Sequence, residues 1–174
     1  MRCFICANLV LLNMFDYDIN RTIEALLYLC EKMGGSTKHQ LSKMLYFADK
    51  YHLKEFGRTI TGDKYTKMEY GPVPSQTYHH LRYSEFINDI FDVEGYHVKG
   101  KRDSDKDELS ESDRKALDFS IQEYGTLSFG ELTDVSHDAT WEAAKDNATI
   151  SFDDFLLTFD EPVQKEIKSY LAGE

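Results

Sequence analysis

Hydrophobic positions first recur at Ile19, Ile23, Leu26, Leu27 and Cys30, the stripe of an amphipathic helix, and Gly34 and Gly35 close it. Thr37 and Gln40 have the spacing of a capping box, and Leu41, Met44, Leu45 and Ala48 repeat the stripe until Gly57. These two segments predict a helical hairpin. From Arg58 to Tyr70 the period changes: "RTIT" and "YTKMEY" are rich in Thr, Tyr and Ile and meet at Gly62 and Asp63, which predicts a short β-hairpin. The stretch "YGPVPSQTYHHL" then holds two of the three prolines. A residue before proline is driven out of the helical region, so Gly71 and Val73 are expected to be extended. Pro74 is expected in the first turn of a third helix running to about Ile90.

"FDVEGYHVKG", residues 91–100, alternates around Glu94 and Gly95 and predicts a second hairpin, followed by a charged loop. Ser110 caps a helix carrying Ala116, Leu117, Ser120, Ile121 and Tyr124, and Gly125 ends it. Ser128 with Glu131 has the spacing of another capping box. Short helices are expected over Trp141 to Lys145 and Phe152 to Thr158. A last one from Glu161, capped by Asp160, is expected to bury Val163, Ile167, Tyr170 and Leu171. The expected class is α+β and mainly α-helical: a compact helical domain with one or two short β-hairpins, spanning residues 18–174 after an apolar extension, 1–17.

Composition adjusts this picture in two places. The net charge of -11 argues against nonspecific nucleic-acid binding, which needs clustered Lys and Arg. The excess sits entirely beyond residue 100: 8 Lys plus Arg stand there against 19 Asp plus Glu, whereas residues 1–100 carry 12 of each. That half is either a solvated surface or one offered to a basic partner. Cys3, Cys6 and Cys30 are too few for a disulfide framework and suit a reducing cytoplasm, and the lone Cys3–Cys6 pair lacks the further ligands zinc needs. The apolar run over residues 3–15 is shorter than the roughly 20 residues of a membrane span. Met14 offers an alternative translation start that would leave 1–13 as an upstream addition.

No glycine-rich phosphate loop, HExxH, GxSxG or deaminase signature is present. His79 and His80 are adjacent, so on a helix they point about 100° apart and do not share a metal. Asp49 and His52, at i and i+3, are placed to form a carboxylate–imidazole pair, read as structural, as a partner contact or as an acid–base couple. Tyr46, Phe47, Tyr51, Tyr65, Tyr70, Tyr78 and Tyr83 form a dense aromatic set. Most belong to a core, but tyrosines that surface favour interfaces.

Three blocks, "LSKMLYFADKYHL" (41–53), "YGPVPSQTYHHL" (70–81) and "LSFGELTDVSHDATWEAAK" (127–145), resemble the Panacea domain, the SocA-like antitoxin domain, in order and spacing across roughly residues 18–160. Its motif positions carry over to Leu41, Leu45, Tyr46, Ala48, Tyr70, Gly71, Pro72, Val73, Leu132, His137 and Trp141, while Ser42 stands where members often have Gln. The resemblance implies a cytoplasmic antitoxin, of a kind frequent in prophages and mobile elements, that neutralises a cognate protein toxin by direct contact without cofactor, metal or turnover. Family blocks and side-chain type together nominate Tyr46, Asp49, His52, Tyr70, Pro72 and Tyr78 for partner contact. The rigid Tyr70–Pro74 corner is expected to aim Tyr78 beside the second helix. Two rivals remain open: a DNA-binding operon regulator using the short helices from Ser128 to Lys145, and a small hydrolase or transferase using Asp49 and His52.

Overall fold

The helix that follows Thr37 organises the molecule, because every residue from Leu41 to Lys50 is buried. The structure is a computed structural model that describes residues 16–172. Its elements in chain order are α1 (Ile19–Met33), β1 (Ser36–Thr37), α2 (Lys38–Phe56), β2 (Tyr65–Met68), β3 (Gly71–Pro74), α3 (Ser75–Tyr83), α4 (Ile87–Ile90), β4 (Phe91–Glu94) and β5 (His97–Gly100). They continue as α5 (Glu111–Tyr124), α6 (Phe129–Ser136), α7 (Ala139–Ala143), α8 (Phe152–Phe155) and α9 (Glu161–Ala172). Nine helices and two small antiparallel sheets among the described residues match the expected mainly helical α+β class. The apolar run, the Cys3–Cys6 pair and the candidate start at Met14 lie outside the described residues.

Because α2 is buried on every side over its middle, one amphipathic partner cannot cover it. Its chief neighbour is α5, not α1, which corrects the expected two-helix hairpin. Thr37 Oγ1 accepts the Gln40 N–H at 3.1 Å, but the Gln40 side chain turns away, accepting from Ser36 and donating to the Gly125 carbonyl. Only half of that capping box forms. Ser110 with Asp113 and Ser128 with Glu131 close both arms of theirs.

The first predicted hairpin is displaced. Arg58–Thr61 forms no strand, because the buried Asp49 carboxylate takes the amides of Ile60 and Thr61. "YTKM" instead pairs forward with "GPVP", Met68 opposite Gly71, and the chain reverses at Glu69 and Tyr70. Gly71 therefore has φ 93, not the extended conformation expected of it. Pro72 and Pro74 lack N–H groups, which suits β3 to a sheet edge. The other edge of β2 is bonded by residues 147–150 through Lys67 N–H to Ala148 O and Ile150 N–H to Tyr65 O. Pro74 is the N-cap of α3 and not its first turn, and the orphan amides of Gln76 and Thr77 donate to Asp63. That helix stops at Tyr83, short of the expected Ile90.

The second hairpin is β4 with β5, turning at Gly95 and Tyr96, and β1 extends it on the β5 side. In α9, Ile167 and Leu171 are buried as expected, whereas Tyr170 is exposed and shields Gly57.

Candidate functional site

The nominated acid–base pair is not formed. Asp49 Oδ1 accepts the amides of Ile60 (2.7 Å) and Thr61 (3.2 Å), and Oδ2 accepts the Thr61 hydroxyl (2.7 Å) and the Tyr65 hydroxyl (2.8 Å). Burial pushes its pKa up, against these donors. His52 faces the other way: Nδ1 lies 2.8 Å from Arg58 O, and Nε2 lies 3.0 Å from Ser112 Oγ and 3.2 Å from Asp113 Oδ1. Burial opposes ionisation of Asp113, but hydrogen bonds from His52 and Ser110 and the Arg58 guanidinium outweigh it and hold that carboxyl below its usual range. The contact role expected of Tyr46, Asp49 and His52 is corrected accordingly. All three are 0% exposed with their polar atoms engaged internally, and Tyr46 donates to Asp138 at 3.0 Å. Pro72 is buried as well.

The motif positions build a support for the β2–β3 hairpin. Leu41, Leu45, Ala48 and Leu132 fill the core beneath it. Lys43, fully buried on α2, donates to the Pro72 carbonyl at 2.9 Å, and burial lowers its pKa to about 7. A Cβ on Gly71 would stand 2.2 Å from Ser136 Oγ and 2.7 Å from Lys43 Nζ, so the chain needs glycine there for space as well as for φ. From the third block, Trp141 donates from Nε1 to Met68 O at 2.9 Å, while its ring stacks on His137 at 3.6 Å and lies under the Lys67 ammonium at 4.2 Å.

Above this support lies a cleft of about 910 Å³ between the first turns of α2, the hairpin, α3, the β4–β5 turn and the start of α6. Tyr70, Tyr78, Tyr96 and Phe129 line it, with Met68 and Val73. Tyr70 is 52% and Phe129 53% exposed, with ring centroids 5.3 Å apart, and the other side of Phe129 meets His39 at 4.0 Å. Burial, then the neighbouring Lys43, lower the His39 pKa to about 4 despite a hydrogen bond with the Tyr70 backbone, so His39 is neutral at pH 7. Lys38, Lys43 and Arg82 line the same cleft against a single acidic residue, Glu69.

Two of the nominated contact residues, Tyr70 and Tyr78, line this cleft. Lys38, Lys43, Arg82, Tyr96 and Phe129 went unsuspected in the sequence. Lys43 and Lys50 stand seven residues apart on α2, both are buried, and each has an internal partner. In the segment proposed for DNA contact, Trp141 bonds the hairpin at Met68 O, and Asp138 caps α7 while pairing with Lys50 at 2.8 Å. Among the described residues, no group of three or more His, Cys, Asp or Glu is placed to hold a metal ion. None of the described helices is long and apolar enough to cross a membrane.

No curated protein and no solved structure matches the chain. Residues 41–142 match the family model described as Antitoxin SocA-like, Panacea domain, a narrower span than the 18–160 over which the resemblance was read. That span is more than half of the chain and contains every motif position that supports or lines the cleft. The chain belongs to the SocA-like antitoxin, Panacea-domain family.

Proposed function

We propose that this chain is an antitoxin that binds a cognate protein toxin through the cleft face and covers the toxin's active surface. The observation that carries the reading is the rim. Large exposed side chains, Tyr70 and Phe129 foremost, surround a concavity supported from beneath by residues of the family motif. Exposed aromatic clusters around a preformed hollow are typical of protein contact sites. Tyr70 and Tyr78 act as contact residues, whereas Pro72 acts through its carbonyl on Lys43. The acidic second half steers a basic toxin towards the complex. The antitoxin works in the cytoplasm without turnover, and the saturated environments of Asp49 and His52 favour that over hydrolysis.

Growth of cells inducing the adjoining reading frame, with and without this chain, tests the proposal. Toxicity relieved by co-expression, with a complex that co-purifies, is expected. Toxicity that persists beside folded, soluble antitoxin would refute it.

A further inference from the structure

Buried cations in the described part of the molecule come with partners. Lys43 has the Pro72 carbonyl. Lys50 has Asp138, Thr140 and Thr158 within 2.8 Å. Lys67 has the Ala144 carbonyl at 3.0 Å and Asp146 at 3.2 Å. Lys38 does not follow them. It is 9% exposed, its ammonium has no hydrogen bond or ion pair among the described residues, and its charged neighbour is Arg82, a second cation. Burial and then that neighbour lower its pKa. Arg82 likewise has no carboxylate there, only the Tyr83 ring at 5.2 Å. Glu69, on the hairpin turn, pairs with neither. The first turn of α2, which carries Lys38, adds the positive end of a 19-residue helix.

Two cations that line one cleft without a carboxylate partner among the described residues, Lys38 buried and Arg82 exposed at the edge, offer a seat to an anion that reaches both. On a chain of net charge -11, this cleft is where an acidic group would be attracted. We propose that the toxin segment seated in the cleft places a carboxylate side chain between Lys38 and Arg82 and an adjoining apolar or aromatic side chain against Met68, Tyr70 and Phe129. The inference rests on the antitoxin reading and specifies the partner's chemistry. A polypeptide carboxylate fits better than a nucleotide, because the exposed aromatics extend the surface outward from the cations and the chain has no glycine-rich phosphate loop.

The test uses the purified product of the adjoining reading frame as probe, titrated calorimetrically into wild type, Lys38→Met, Arg82→Glu and the surface control Lys145→Met at two salt concentrations. Loss of about tenfold or more in affinity is expected for the first two variants, with a weaker salt dependence, and none for the control. Lys38→Met is expected to keep or raise the melting temperature, since it removes a desolvated charge without a partner. A purely structural lysine would instead lower it. Binding to Arg82→Glu should return when one acidic residue of the toxin is changed to Lys. If wild type binds and protects but both variants stay within about threefold of it, the carboxylate seat is wrong and the antitoxin reading stands. Displacement of the toxin by micromolar ADP would also overturn it, in favour of a phosphate ligand. No wild-type complex and no protection would overturn both.

Discussion

The two ends of α2 carry polar residues with opposite fates. Towards its C-terminal end, Tyr46, Asp49, Lys50 and His52 are buried and saturated, each polar atom closed by a loop N–H, a backbone carbonyl, a hydroxyl or a carboxylate. Towards its N-terminal end, Lys38 has no such partner among the described residues and Lys43 lies beneath a cleft ringed by exposed aromatics. Both ends present the residue types that usually suggest a site. Only saturation separates them: a polar group whose bonds are complete inside the chain holds the fold, and one left open at a concave surface waits for something outside it.

Four perturbations would break or sharpen that contrast. The largest effect is expected from Asp49→Ala, which leaves four buried donors without an acceptor and should cost about 3–5 kcal/mol in urea unfolding. A loss below about 1 kcal/mol would mean that loop 58–64 does not depend on this carboxylate. Gly71→Ala comes next, at about 2–4 kcal/mol, because the new methyl group meets Ser136 and Lys43 at a positive φ.

Third is a pH effect. Between about pH 7 and 10.5 the unfolded chain keeps a proton on Lys43 that the folded chain has released, so this group adds stability as pH rises through that window and withdraws it as pH falls. Relative to Lys43→Met, the wild type should gain on the order of 1–2 kcal/mol between pH 7 and 9. A difference that stays flat would show Lys43 charged in the fold. The smallest change in stability, within about 0.5 kcal/mol, is expected for Tyr70→Ala combined with Phe129→Ala, yet that variant should bind toxin at least about tenfold more weakly. Equal binding would remove the rim from the interface.

Local signals in the sequence served well wherever the structure is local. The caps at Thr37, Ser110 and Ser128, the glycine stops at Gly34 and Gly57, and the β4–β5 hairpin all lie within a residue or so of their predicted places. Long-range terms overrode the rest. Arg58–Thr61 has strand composition, but Asp49, eleven residues before Ile60, claims its amides, and pairing moves on to the proline-rich segment. Tyr70 and Tyr78, nominated from the family blocks, both line the cleft. Lys38, Arg82, Tyr96 and Phe129 were not nominated, since no spacing along the chain shows that the starts of α2 and α6, the end of α3 and the β4–β5 turn converge on one cleft.

Amide hydrogen exchange of the chain, free and in complex with its toxin, tests the central claim most directly. Protection confined to the first turns of α2, residues 66–82, the β4–β5 turn and the start of α6, with α5 and the loop 58–64 unchanged, is the predicted result. Protection centred on α5 or α9, with the cleft face exchanging as in the free chain, would contradict it.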